Sequence, residues 1–278
     1  RRSYNWNGMP FLDLYVADID FADIDSDQLK NPVQIHKRFN NKMHEGPASF
    51  ANDGAFMMFT RSNYEGKSVD GTIHLQLFYS SKNENGEWGK EEAFILNNSE
   101  YSVGHPSLTT DGKVMYFSSD MPGGKGGVDI YRIERKGDSA WSEPVNLGES
   151  INTEGNEMFP FYHEGGFLLF SSDGHGGLGG LDNFIVKIEG EKISKVLNMG
   201  YPLNDKKDDF AAVLDPAMAT GYFSSNRPGG KGDDDLYSFE LLKPFIFGKT
   251  LKGVVRDKKG NPLLATKVEL LDAEGSVI

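Results

Sequence analysis

"NRPGGKGDDDLY" (Asn226–Tyr237) and its close copies decide the fold. Taken alone, Gly229–Tyr237 fits the calcium-binding nonapeptide of parallel β-helices, G-G-x-G-x-D-x-U-x. That coil needs its pattern back about every nine residues. Here it returns after 53: "MYFSSDMPGGKGGVDIY" (115–131), "LLFSSDGHGGLGGLDNF" (168–184) and "GYFSSNRPGGKGDDDLY" (221–237) are copies of one unit. Phe117, Phe170 and Phe223 keep that spacing, and so do Asp129, Asp182 and Asp235. The calcium-coil reading fails. A looser copy is "MMFTRSNYEGKSVDGTIHLQLF" (57–78), and Asp13-Leu14-Tyr15 matches Asp129-Ile130-Tyr131.

Each full copy resolves into four short strands. "HPSLT" (105–109) leads through a turn at Asp111-Gly112 to "KVMYFSS" (113–119), then to the Gly-rich loop,. "VDIYRIER" (128–135), a turn at Lys136-Gly137-Asp138 and "WSEPVNLG" (141–148) complete the set before the polar link "ESINTEGNE". Four strands in roughly 50 residues, with a turn at every joint, is the period of a β-propeller blade. Copies start near Glu45, His105, Glu157 and Asp209, and residues 1–43 hold the end of an earlier one. The expected fold is therefore all-β, a β-propeller of four-stranded blades spanning 1–244 and continuing upstream. Five blades are expected, or six if another precedes them. The fourth strand of the last copy is hard to find after Tyr237, and an upstream segment is expected to supply it and remove the open edge.

In this unit the glycines supply turns through positive φ. The aspartates after them are placed to accept loop N–H groups and pin the loop to the next strand. Phe117, Phe170 and Phe223 should pack between blades.

Composition narrows the function classes. A hydrophobic content of 38% with 12% aromatics fills a real core,. A net charge of −12 disfavours a nucleic-acid partner, which needs a basic stripe,. Without cysteine there are no disulfides, thiolate metal sites or cysteine nucleophiles,. No apolar run approaches the roughly 18 residues of a membrane span. No signal peptide is visible, and "RRSYNWNGMPFLDLY" reads as the middle of a domain, so the natural N-terminus is expected upstream,.

After "SFELLKP" the pattern changes. A strand at 251–257, a turn at Gly260-Asn261-Pro262 and a strand at 266–271 are expected. Residues 245–278 are too few for a self-sufficient sandwich and read as the start of a second domain, incomplete here.

The blade motif "FSSDMPGGKGGVDIY", preceded by "GHPSLTTDGKVMYF", resembles the WD-like repeat of TolB-type propellers. The order "PFLDLYVADI", "INTEGNEMFPF", "SSDGHGGLGGLDNF" and "GYFSSNRPGGKGDDDLYSF" is similar to periplasmic OmpA-family proteins of Bacteroidota, and "LKGVVRDKKGNPLLATKVELLD" resembles the carboxypeptidase regulatory-like β-sandwich that follows their propeller. The resemblance covers nearly the whole chain. It implies a periplasmic protein associated with the outer membrane or cell wall. Its implied partners are envelope or secretion-system proteins, those of type IX secretion above all. Peptidoglycan would be engaged through an OmpA-like domain outside these residues.

Catalytic motifs are mostly missing. Lys125 and Lys231 are followed by Gly and a strand, which is not a phosphate loop,. The "SS" pairs recur in every blade, as architecture does and one active site does not. No histidine pair has helical metal-ligand spacing. No catalytic residue, metal ligand or cofactor is expected, and an enzyme is the lesser reading. The candidate binding residues are those just before each first strand, Glu45, His105, Glu157 and Asp209, expected to ring the mouth of the central channel. Asp120, Asp173 and Asn226, ending the second strands, are expected beside them. This acidic rim is either a solvated surface holding water or a cation, or a docking face for a basic protein segment. The rival function is a glycan- or small-ligand-binding or hydrolytic propeller using the central channel. His105 and His163 break the blade pattern and would be its first suspects.

Overall fold

Strands of the repeat are apolar on both faces because each sheet is covered from both sides. In Val114–Ser119 every residue after Val114 is buried. Side chains alternate across a strand, so Met115 and Phe117, with Tyr131 and Ile133, pack against Phe56, Met58 and Leu77 of the preceding blade. Tyr116 and Ile130 point the other way, onto Leu168, Phe170, Phe184 and Val186 of the following blade. Phe117 and Phe170 therefore lie between blades, where the sequence places them, and Phe223 is buried against Tyr237 and Phe239 of its own blade.

The computed structural model describes residues 11–19, 29–63, 66–137, 140–247 and 253–263. The fold is an all-β propeller of antiparallel sheets, four blades of which lie among the described residues. The first blade is Glu45–Ala51, Phe56–Ser62, Leu75–Ser81 and Glu92–Ala93. The second is Val103–Leu108, Val114–Ser119 and Asp129–Lys136, with Ala140–Trp141 and Val145–Asn146 both on its third strand. The third repeats this as Glu157–His163, Phe167–Ser172, Asp182–Glu189, Lys192–Ile193 and Leu197–Asn198. The fourth has three strands, Asp209–Leu214, Thr220–Ser225 and Asp235–Glu240. First strands of successive blades lie side by side.

The fourth strand of the second and third blades is thus two short pieces rather than one. In each, three residues (142–144 and 194–196) stand opposite two of the third strand, a bulge that interrupts the ladder,. Ser142 bridges the gap by accepting from Glu134 N at its hydroxyl (3.0 Å) and donating its own amide to Glu134 O (2.7 Å). Ser194 does the same for Lys187.

The expected count of five blades becomes four plus a two-stranded sheet, Tyr15–Asp18 with Lys30–Gln34. Its register, Tyr15 opposite Gln34, matches Tyr131 opposite Asn146 and Phe184 opposite Asn198. The sheet is the third and fourth strand of a preceding unit. It pairs with itself and leaves the outer side of Asp235–Glu240 without a strand among the described residues.

The Gly-rich loops are pinned as the sequence suggests. Asp182 is fully buried and accepts Leu178 N, Gly179 N and the Asn198 amide. Asp129 accepts Lys125 N, Gly126 N and the Asn146 amide. Asp235 accepts Lys231 N and Gly232 N. The carboxylate also explains one glycine in each loop. A Cβ on Gly124, Gly177 or Gly230 would sit 2.6, 2.2 or 1.9 Å from the Oδ2 of that blade's aspartate.

Contacts divide the chain into two units, Arg1–Pro244 and Phe245–Ile278. In the second, Asp257 accepts the amides of Lys259 and Asn261 (2.8 Å each) in a turn that brings Arg256 opposite Pro262. The expected strand at 266–271 and the start of that at 251–257 lie outside the described residues.

Candidate functional site

The blade-start acids are internal latches. Glu157 is fully buried, its carboxylate accepting Thr153 N (2.8 Å), Thr153 Oγ1 (2.6 Å) and Ser172 Oγ (2.6 Å). Asp209, equally buried, accepts Asp205 N (2.6 Å) and pairs with Arg227 Nη2 (2.6 Å). Glu45 pairs with Arg61 Nε at 3.0 Å, and both side chains are sealed from water. Burial outweighs that pairing and pushes the Glu45 carboxyl up to about 7, consistent with an Oε2 that has no hydrogen-bond partner. The rim read from the sequence is therefore not a solvated acidic face at these three positions.

Asp120, Asp173 and Asn226 are placed beside the links, as expected. Asp173 accepts both Asn156 N (2.7 Å) and Asn156 Nδ2 (2.8 Å), Asn226 accepts Asp208 N at its Oδ1 and donates its Nδ2 to Asp208 Oδ2, and Asp120 accepts Ser102 N. Each fastens the end of a second strand to the link entering the first.

His105 is not the counterpart of those acids. By register, Val103 faces Ser119 as Glu157 faces Ser172 and Asp209 faces Ser225. His105 lies two residues further along, in a β-bulge that every first strand contains. At the bulge, His105, Phe159 and Ala211 adopt left-handed backbone, with φ of 51°, 52° and 55°. Non-glycine residues rarely do so. The first blade has Pro47 at this position, whose ring forbids positive φ. A bulge re-aims the side chain, and here it turns these residues toward the common axis.

They line an axial cavity of about 500 Å³ with Pro47, Phe161 and Val213. Hydroxyls stitch its walls. Thr60 Oγ1 accepts His105 N (2.8 Å) and Ser171 Oγ accepts Ala211 N (2.9 Å). Ser49 Oγ accepts Leu108 N and Ser107 Oγ accepts Tyr162 N, both at 2.8 Å. The equivalent of Thr60 and Ser171 in the second blade, Ser118, is buried with no partner for its hydroxyl. Phe159 N donates instead to His105 Nδ1 in a long bond of 3.4 Å.

Desolvation lowers the His105 pKa to about 4, so its imidazole is neutral at pH 7. With Nδ1 accepting, the ring proton sits on Nε2. His163, the other suspect, is fully engaged. Nδ1 accepts Gly165 N and Nε2 donates to Asp215 O, both at 3.0 Å, which locks a turn at the cavity mouth. Glu164 at that mouth accepts Thr110 N and Thr110 Oγ1. The cavity offers aromatic and apolar walls and one neutral imidazole donor. Its serine oxygens already serve the neighbouring backbone, and among the described residues no base is hydrogen-bonded to them.

A second repeated device escapes the sequence reading. Asn152 lies in the link after the second blade and closes on Ile130, accepting its N–H and donating to its C=O (2.9 Å each). Asn204 does this to Asn183, Asn97 to Leu77 and Asn40 to Leu14. An asparagine amide matches a backbone donor–acceptor pair, so each link is clamped to the third strand it has just left.

No family model matches the chain, and no curated protein matches it. Among solved structures, a glycoside hydrolase aligns over 72% of this chain and 71% of its own, with 11% identity and a TM-score of 0.50. The likeness is one of fold. A Mycobacterium tuberculosis puromycin-hydrolyzing peptidase aligns over 76% of this chain with 14% identity and a TM-score of 0.47. An α-L-arabinofuranosidase from Lactobacillus brevis aligns over 77% of this chain and 72% of its own, with 11% identity and a TM-score of 0.42. The chain spans 26% to 34% of the length of the puromycin-hydrolysing enzymes it matches.

Proposed function

We propose that this chain is the propeller of a non-catalytic scaffold in the bacterial envelope, which holds protein partners of a secretion assembly. The fate of the carboxylates carries this reading. Hydrolytic propellers need acids or nucleophiles free to act on a substrate, whereas Glu157 and Asp209 are buried and bonded to their own links. The resemblance of the repeat to periplasmic OmpA-family proteins supplies the compartment and points to type IX secretion proteins as partners. Peptidoglycan would be held by an OmpA-like domain outside these residues. Fold likeness to hydrolases does not carry their chemistry with it.

The test is photo-cross-linking in cells from Phe161 and Glu164, at the cavity mouth, in the full-length protein. The scaffold reading expects adducts with a defined envelope protein from these positions. Release of products from a panel of polysaccharides and peptides by the purified chain, lost in His105→Ala, would replace it with the hydrolytic alternative. That alternative has one observation in its favour, a neutral His105 whose Nε2 has no partner among the described residues.

A further inference from the structure

Away from the axis, the first and second blades enclose a cleft of about 540 Å³. Its walls include Phe56, Tyr79 and Phe94 from the first blade and Trp141 from the second, with Lys82 and Arg135 as its cations. The Arg135 guanidinium lies over the rings of Phe56 and Trp141, 5.2 Å from each centroid. Phe94 meets Trp141 edge-on at 5.7 Å, and Phe56 packs on Tyr79 at 5.8 Å.

Arg135 is the anomaly here. Its Nε is buried with no hydrogen-bond partner, and it has no ion pair among the described residues. Three other propeller arginines are ion-paired, Arg61 with Glu45, Arg132 with Glu134 and Arg227 with Asp209, while Arg38 donates to the Trp88 carbonyl at 3.5 Å. Glu92, on the adjoining edge strand, is held by the Tyr79 hydroxyl at 3.0 Å. A buried guanidinium donor left unpaired is costly, while flanking rings fix its plane. The fork is thereby held ready for a planar oxyanion at little entropic cost.

We infer that this cleft is a binding site for a small carboxylate ligand with a ring, its carboxylate on Arg135 and its ring against Trp141, Tyr79 or Phe94. Lys82 adds a second positive charge at the edge. The ring would belong either to a sugar acid or to an aromatic acid, since both present a flat face and one carboxylate. This site is independent of the axial cavity and of the scaffold reading.

Calorimetric titration of the whole chain with two matched pairs tests it: galacturonate against galactose, and benzoate against benzamide. The acid of one pair should saturate the protein at about 1 mM or below. Its neutral partner should bind at least about tenfold more weakly, and the responding pair identifies the source. Arg135→Met should abolish the preference for the acid, while Arg135→Lys keeps a weakened part of it, because a point charge cannot bind bidentately. Equal binding of acid and neutral partner, no binding of either acid, or an unchanged affinity in a folded Arg135→Met protein would each overturn the assignment. The first two outcomes need no variant.

Discussion

The ring of His105 lies parallel to that of Phe159 in the next blade, with centroids 4.0 Å apart and planes 11° from parallel, and its Nδ1 accepts the Phe159 amide. A histidine in one blade thus takes the place that a hydroxyl holds elsewhere. The Ser118 hydroxyl, displaced from that place, is left without a partner.

Substituting the two equivalent serines should therefore have unequal effects. Ser171→Ala removes the acceptor of Ala211 N and should cost about 1–3 kcal/mol. Ser118→Ala removes a buried hydroxyl that bonds to nothing and should be neutral or stabilising within about 0.5 kcal/mol. Urea unfolding of both variants checks the contrast. Equal costs would mean that Phe159 N is not satisfied by His105.

The same imidazole gives a pH dependence. The His105 pKa is lowered from 6.5 to about 4 in the folded protein. Between these values the unfolded chain binds a proton that the folded one does not, so this contribution is complete above about pH 6.5 and declines as pH falls toward 4. Relative to His105→Phe, the wild type should lose about 2–3 kcal/mol between pH 7 and pH 4. Glu45, raised to about 7, acts with the opposite sign, since its folded state holds the proton more tightly and loses stability as pH rises through that range. The Glu45 contribution is common to both proteins and cancels in their difference, which thermal melts across the range would measure.

Adjacent glycines in one loop should also differ. A Cβ at Gly177 would lie 2.2 Å from Asp182 Oδ2, whereas one at Gly176 meets nothing within 4 Å. Gly177→Ala must displace the buried carboxylate from its loop donors and should cost about 2–4 kcal/mol, close to Asp182→Ala. Gly176→Ala should stay within about 0.5 kcal/mol. Denaturant midpoints of the three variants rank them. A neutral Gly177→Ala would remove the aspartate from its role as pin.

Asn152→Ala leaves the buried N–H of Ile130 without a partner and its C=O with the Leu147 amide alone, which should cost about 1–3 kcal/mol. Asn152→Asp keeps the shape but turns a carboxylate oxygen toward the Ile130 carbonyl, and should be at least as damaging. Native-state hydrogen exchange at Ile130 should speed up in both. Unchanged protection there would contradict the clamp.

Much of the wheel is legible because its strongest local rules repeat at one spacing. Gly, Asp and Phe recur at 53 residues, and each acts within its own blade or on the next one's face. The asparagine clamp is harder to see, since Asn97, Asn152 and Asn204 lie in links of unequal length outside the repeated run. His105 is misassigned for a related reason: polar character aligns it with Glu157, whereas register aligns Val103, an apolar residue at a position otherwise acidic. Glu45, Glu157 and Asp209 stand at the blade starts but are buried rather than solvated, because a sequence does not distinguish a carboxylate facing water from one facing its own link. Arg135 gives no signal at all. Its meaning depends on Phe56, which is distant in the chain and adjacent in space.

The asparagine clamps set where this wheel can be cut. In each unit so clamped, the third strand receives two of its hydrogen bonds from an asparagine in the segment leading into its successor, so the stable fragment is offset from the visible sheet. A deletion ending at Asn146 would keep every strand of the second blade and still strip Ile130 of its partners. One ending after Asn152 would retain them. Shortened or circularly permuted versions should have their ends in the hairpin turns, such as that at Lys136–Gly137, and carry the link whole.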